Sequence, residues 1–237
     1  MTQELASIPS TAKVSPTSGA AISSATKPAN GSPATRVDWE YGVNATLALL
    51  ILIALAPLMC AVALMVFLQD RGPVFFGHRR IGRDGRTFAC MKFRSMAVDA
   101  EARLQHLLAT DEDARREWAA DHKLRKDPRI TGLGVFLRKS SLDELPQLFN
   151  VLRGEMSLVG PRPVVQAEAE RYGRWFTHYC AVRPGITGLW QVSGRNEVSY
   201  RKRVAMDVLY SRRKSAGLDL FILLNTVPAV LLRKGSY

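Results

Sequence analysis

The sequence predicts an α+β chain, mostly helical, in which a membrane helix leads into one domain with a short β-hairpin and amphipathic helices at the membrane interface. Three observations predict it. From Leu47 to Leu68 run twenty-two residues without a charge. Helical spacing of apolar residues dominates the remainder of the chain, and a lone Asp84-Gly85 pair between two extended runs marks a hairpin. The charge balance adds a constraint on partners: 33 Lys and Arg against 21 Asp and Glu give a net +12. Such a chain meets a polyanion, whether nucleic acid, anionic lipid or a phosphorylated substrate. Cys60, Cys90 and Cys180 are widely spaced and form no CxxC, which excludes a disulfide framework and a zinc site of the usual spacing.

Residues 1–36 are dominated by Ser, Thr, Ala and Pro and carry few large aliphatics. Such a segment does not bury enough apolar surface to offset the entropy of ordering, so a disordered tail is expected. The charge-free run beyond it would measure about 33 Å as a straight helix, enough for a bilayer core. Pro57 sits at its middle, removes one backbone hydrogen bond and predicts a kink or break there. Two topologies are open: a kinked helix that spans, or one that breaks at Pro57 and returns to the side it entered. Arg71, Arg79, Arg80, Arg83 and Arg86 come after the segment and place the main domain on the cytoplasmic side.

Val74–Phe76 and Thr87–Phe93 read as the hairpin strands. The arginines between them sit close to the membrane segment and suit anionic headgroups, while Lys92 and Arg94 alternate with Met91 and Phe93 and share a face able to converge on a phosphate. A helical pattern then runs from about residue 96 to Lys126 and stops at Asp127-Pro128. His106 and His122 have no partner at ligand spacing and read as surface residues.

Residues 140–163, SSLDELPQLFNVLRGEMSLVGPRP, hold the densest chemistry. Asp143 and Glu144 are adjacent, Arg138 precedes them, and Arg162 lies between Pro161 and Pro163. Ser141 and Glu144 fit a capping box, but Pro146 would then interrupt the first turns of that helix. A later start leaves both acids at a helix N-terminus, where they could hold Mg²⁺ or one could attack phosphorus. Adjacent acids on a solvated helix face are the plainer alternative. Further on, 197–214 reads as a basic amphipathic helix and 218–232 as an apolar segment too short to span. Trp190 reads as packing, and Asp207 and Asp219 as structural.

The runs KFRSM at 92–96, KDPRITGLGVFLRKSSLDELPQLFNVLRGEMSLVGPRP at 126–163 and RPGITGLWQVSGRN at 183–196 resemble the bacterial sugar transferases, monotopic polyprenyl-phosphate phosphoglycosyl transferases. The resemblance covers about residues 37–237. HRRIG and the TVPAVLLRKGSY ending look most like short exopolysaccharide-initiating galactose-phosphate transferases. It implies a re-entrant membrane helix broken at Pro57, here Ala56-Pro57 where the family often has Ser-Pro, with the catalytic domain on the cytoplasmic face of the bacterial inner membrane. It implies Asp143 as the nucleophile that takes a hexose phosphate from a UDP-sugar, with Glu144 as its partner and both acids available to Mg²⁺. Undecaprenyl phosphate then accepts the sugar phosphate. Lys92, Arg94, Arg138 and Arg162 would hold phosphates, and Arg183, Gln191 and Arg195 the nucleotide.

Two other classes compete. A nucleic-acid binder suits the charge, but no binding motif accompanies it and the basic residues cluster beside membrane elements, so no nucleic-acid partner is expected. A non-catalytic scaffold of a polysaccharide assembly complex requires the acid pair to be incidental. Homo-oligomers are compatible with the sequence, and no residue specifies one.

Overall fold

The charge-free run becomes the middle of α1, Trp39–Asp70. The computed structural model describes residues 38–121, 124–194 and 198–231, so the N-terminal tail, His122 and Arg195 lie outside the described residues. Asp38 caps α1 by accepting from the Tyr41 amide at 3.2 Å, and Arg71, in the left-handed region at φ 52°, ends it. Pro57 does not terminate the helix: the helical backbone continues on both sides of it. The proline removes one backbone bond from a helix whose other turns are intact, and so is a point of weakness inside one element. One face of α1, Ala48, Leu52, Met59, Val62 and Val66, belongs to the main core, whereas Leu50, Ile53, Leu64 and Leu68 point outward and are exposed.

Both ends of α1 are tied to the same domain. At the start, Asp38 pairs with Arg183 at 2.6 Å and Arg83 at 3.8 Å, Glu40 pairs with Lys214, and the Tyr41 hydroxyl donates to the Leu152 carbonyl at 2.8 Å. At the finish, Arg94 pairs with Asp70 and donates to the Val66 carbonyl at 3.3 Å.

β1, Phe75–Ile81, pairs antiparallel with β2, Thr87–Phe93. Asp84 and Gly85 take left-handed φ of 58° and 73° at the turn, the conformation the Asp-Gly signal expects. The first strand is longer than its sequence suggests, because His78-Arg79-Arg80-Ile81 continues the ladder rather than opening a loop. Arg80 thereby lies opposite Phe88, on the same face as Lys92, itself opposite Phe76. The expected long helix is two: α2, Ala100–Thr110, and α3, Glu112–Asp121. Asp111 divides them in extended geometry and its carboxylate accepts from the Ala114 amide at 2.9 Å, since a short acid satisfies a helix start better than a helix interior.

α4, Gly132–Ser140, starts at a Thr131 cap and ends at Ser141, whose φ is 58°. A 3-10 turn, Leu142–Glu144, then leads to α5, Gln147–Leu152, with Pro146 at its N-cap. The late start expected from Pro146 is what occurs. β3, Ser157–Val159, pairs in parallel with β4, Gly185–Thr187, a contact the sequence does not announce. A Cβ on Gly185 would stand 2.0 Å from the Gly160 nitrogen, so glycine lets the GPRP and PGITG segments touch backbone to backbone. Between the strands lie α6, Gln166–Tyr172, and α7, Phe176–Cys180; after them come α8, Leu189–Val192, α9, Tyr200–Arg213, and α10, Ala216–Leu231.

α9 buries Val204, Asp207 and Tyr210 against the domain and leaves Arg201, Lys202, Arg212 and Arg213 toward solvent. α10 runs through Pro228 without interruption, burying Ile222 and exposing Leu220, Phe221 and Leu224. Trp190 is buried with the Arg203 guanidinium 4.6 Å from its ring centre, which is the packing role expected of it.

A second core gathers Tyr172, Tyr179 and Val204 with Ile81 and Val164. Tyr179 donates to the Ile81 carbonyl at 2.6 Å and accepts from the Val164 amide at 3.2 Å, which fastens the hairpin to the segment after Arg162. Asp207, only 2% exposed, accepts from the Tyr172 hydroxyl at 2.7 Å. Burial pushes its pKa up to about 7 from 3.8, against the bond from Tyr172 and the charge of Arg203. The folded state therefore holds a proton that the unfolded chain releases near its ordinary pKa. Stability contributed by Asp207 is full below about pH 4 and is lost as pH rises through about 7, by up to about 4 kcal/mol at roughly 1.4 kcal/mol per pH unit. Asp207→Asn keeps the acceptor without the charge. Thermal unfolding in detergent should show it more stable than the parent at pH 8 and no longer sensitive across that window.

Candidate active site

The dyad is positioned by chain geometry on both sides. Left-handed Ser141 turns the chain out of α4, and the Glu144 and Leu145 amides close the short turn on Ser141 and Leu142 carbonyls at 3.2 Å each. Asp143 is left 6% exposed, with Glu144 beside it nearer the solvent. From β2, Lys92 reaches both acids: its Nζ lies 2.6 Å from Glu144 Oε1 and 3.4 Å from Asp143 Oδ2. Strand alternation places Lys92 on this face because Phe93 points the other way, into the core.

Desolvation raises the pKa of Asp143, and the Lys92 charge is the largest influence holding it down; Glu144 adds to the rise and Arg138 opposes it. Arg138 serves as a nearby charge rather than a direct partner, since its Nε donates to Ser95 Oγ at 2.8 Å. Arg162 approaches Glu144 Oε1 at 3.9 Å and is 43% exposed. The expected source of positive potential, a helix N-terminus, is weak here: α5 has six residues and starts beyond the dyad. Side-chain cations supply the field instead.

Arg80, Lys92, Glu144, Gln147 and Arg162 line one open cleft together with Pro163, Gly185 and Ile186. Arg80 is the member that the sequence alone assigns to lipid headgroups. A strand ending at Phe76 leaves Arg80 in a loop, and only the full register with β2 shows that it shares a face with Lys92. Cys90 also lines the cleft, but burial pushes its thiol up, so it is a neutral group there.

The structure brings Asp143, Glu144, Lys92 and Arg162 together, with Arg138 within electrostatic reach. It does not bring Arg94, which is committed to Asp70 and the end of α1 and is turned away past the end of β2. Gly72 accommodates it, since a Cβ there would stand 2.0 Å from an Arg94 nitrogen. Arg183 is likewise committed, to Asp38 and the Gly154 carbonyl, with Tyr41 stacked against it. Gln191 donates to the carbonyl of cleft-lining Ile186 at 3.3 Å and does not itself line the cleft.

No cluster of three or more acid, His or Cys side chains suited to a metal occurs among the described residues. The dyad's two carboxylates nevertheless match what Mg²⁺ takes from protein when substrate phosphates complete its shell. Any such ion shares the acids with Lys92.

The described site falls within the match to the family model "Bacterial sugar transferase", which covers residues 39–233. An "Exopolysaccharide production protein ExoY" of Sinorhizobium fredii is 52% identical over 191 residues, 81% of this chain and 84% of that protein. A "UDP-galactose-lipid carrier transferase" of Erwinia amylovora is 54% identical over 182 residues, 76% of this chain and 38% of that one. An "Undecaprenyl-phosphate galactose phosphotransferase" of Salmonella typhimurium is 52% identical over 190 residues, 80% of this chain and 40% of that one. This chain thus spans about two fifths of the length of the last two relatives.

Proposed function

The chain belongs to the bacterial sugar transferase family, and on that premise we propose that it moves a hexose 1-phosphate from a UDP-sugar to undecaprenyl phosphate. UMP is released and an undecaprenyl-diphosphate hexose is formed, the first membrane step of exopolysaccharide synthesis. The observation that carries this reading is a nearly buried carboxylate, Asp143, held against Lys92 of a cleft lined by three cations. A buried acid facing cations is suited to meet a phosphate ester rather than solvent.

In the proposed sequence an Asp143 oxygen forms a bond to the sugar-bearing phosphorus. The bond from that phosphorus to the bridging oxygen breaks, and UMP leaves with that oxygen as an anion. A phosphate oxygen of undecaprenyl phosphate then attacks the same phosphorus, the acyl-phosphate bond breaks and Asp143 is regenerated. Both steps bring anions together, so Lys92 and Arg162 act by offsetting like charge. Mg²⁺, when held by Glu144 and Asp143, supplies further charge neutralisation at the phosphate oxygens. Galactose is the favoured hexose, with glucose as the other candidate, because two relatives carry galactose in their names. The test is UMP release from UDP-galactose by the purified protein with Mg²⁺: it should require undecaprenyl phosphate for turnover, and no release with any UDP-hexose would reject the reading.

A re-entrant α1 belongs to the same proposal. A spanning helix has its ends on opposite sides of about 30 Å of hydrocarbon. Both ends of α1 are instead ion-paired to one domain, through Asp38 and Glu40 at one end and Asp70 at the other. A charged domain does not lie on both sides of a bilayer, so a bend at Pro57 that returns the helix to its side of entry accounts for these contacts. Cysteines introduced as Trp39→Cys and Gln69→Cys should both resist a membrane-impermeant maleimide in intact cells and both react once the inner membrane is opened. Labelling at position 39 alone in intact cells would mean a spanning helix.

A further inference from the structure

We propose that Arg80 and Arg162 form a second phosphate subsite, separate from the Lys92–dyad position, that holds the phosphate leaving with the nucleotide. The inference rests on the donor being a nucleoside-diphosphate sugar, as proposed above. Arg80 and Arg162 line the same cleft as Lys92 and Glu144. Their order along it is informative. Lys92 contacts both acids, Arg162 is 3.9 Å from Glu144, and Arg80 lies further along β1, opposite Phe88, whereas the residue opposite Lys92 is Phe76. A diphosphate whose reacting phosphorus sits at Asp143 therefore extends its other phosphate past Arg162 toward Arg80.

Arg80 is built for a fixed ligand rather than for headgroups. Its side chain is 17% exposed, and its Nη1 donates to the Pro163 carbonyl at 3.2 Å and to Glu168 at 3.4 Å. The first bond ties Arg80 to the backbone of the residue next to Arg162. Glu168 is shared, since it also accepts from the Val165 amide at 3.1 Å. Burial, and the Arg162 charge close by, both press against the Arg80 cation. The acids beside them are not close, Glu168 at 3.4 Å from Arg80 and Glu144 at 3.9 Å from Arg162, so a phosphate between the two guanidinium groups adds a nearer counter-charge, and a planar fork from each matches its oxygens. Arg79, one residue earlier, points to the opposite face and is exposed, and so keeps the headgroup role.

The phosphate bound there has two candidate sources, the leaving nucleotide or the lipid acceptor, and steady-state kinetics with direct binding separates them. Arg80→Met should raise the KM for UDP-galactose and weaken both product inhibition by UMP and UMP binding in calorimetry by about 10- to 100-fold, the loss of one or two charge-assisted hydrogen bonds. The KM for undecaprenyl phosphate should hold. Arg80→Lys should recover part of the loss, and Arg116→Met, on the exposed face of α3, should match the parent. A rise confined to the undecaprenyl phosphate KM would overturn the assignment, as would unchanged UMP binding in an Arg80→Met protein of normal thermal stability. If Arg80→Met is unstable, the folded Arg80→Lys protein decides by the same readouts. UMP neither bound nor released by the parent would instead reject the proposed function itself.

Discussion

Asp143→Asn is expected to abolish UMP release, by about 10⁴-fold or more, while leaving the protein folded. The two side chains have nearly the same shape, so packing at this 6%-exposed position is kept. An amide oxygen does not displace UMP from phosphorus, and the neighbouring groups are poor substitutes. Glu144 is adjacent but tied to Lys92 at 2.6 Å, and Cys90 is held as a neutral thiol by burial. Burial raises the Asp143 pKa, meaning that its charge costs folding energy, so removing that charge should not lower the melting temperature. Loss of activity with stability kept or gained separates a chemical role from a structural one. Turnover near the parent rate would place the nucleophile elsewhere.

Lys92→Met should fail differently. Lys92 is the cation in direct contact with both acids, and without it adjacent carboxylates remain in a cleft with poor solvation. Removing one partner of a buried pair leaves an uncompensated charge, worth about 3–5 kcal/mol where burial is complete and less here because Lys92 is 24% exposed. The variant should therefore melt lower than the parent and also lose about 10²- to 10³-fold in kcat/KM, as removal of a charge-stabilising group does. The double variant Lys92→Met/Asp143→Asn should recover stability without activity. That non-additivity, measured as a double-mutant cycle, reads the Lys92–Asp143 coupling directly. If the two changes simply add in stability, the contact has no energetic weight.

Much of the fold is legible in the sequence because its signals are local. A charge-free run, an Asp-Gly turn, the placement of Pro146 and the basic amphipathic pattern at 197–214 each act within a few residues, and α1, the hairpin, α5 and α9 form in accord with them. Lys92, Asp143, Glu144 and Arg162 stand in the motifs; Lys92, Glu144 and Arg162 line one cleft, and buried Asp143 meets it through Lys92. The features that escape the sequence depend on long-range pairing. The β3–β4 contact joins residues 157–159 to 185–187 through three-residue strands, too short for any periodicity to appear. Arg80 is misplaced by sequence alone because a strand's length is decided by its partner, and β2 extends β1 by several residues past Phe76. Arg94 and Arg183 look like ligand contacts since charge alone does not tell a phosphate from a carboxylate of the α1 region, and Asp70 and Asp38 claim them. Asp111 splits a helix whose helical pattern continues across it.

The covalent step is the centre of this account, and intact-protein mass spectrometry tests it most directly. The purified protein incubated with UDP-galactose and Mg²⁺, without undecaprenyl phosphate, should gain the mass of one hexose phosphate less water. Peptide mapping should place that mass on Asp143, adding undecaprenyl phosphate should discharge it, and Asp143→Asn should never acquire it. UMP release that appears only when both substrates are present, with no adduct trapped at any time, would contradict the account and indicate direct attack by the lipid phosphate.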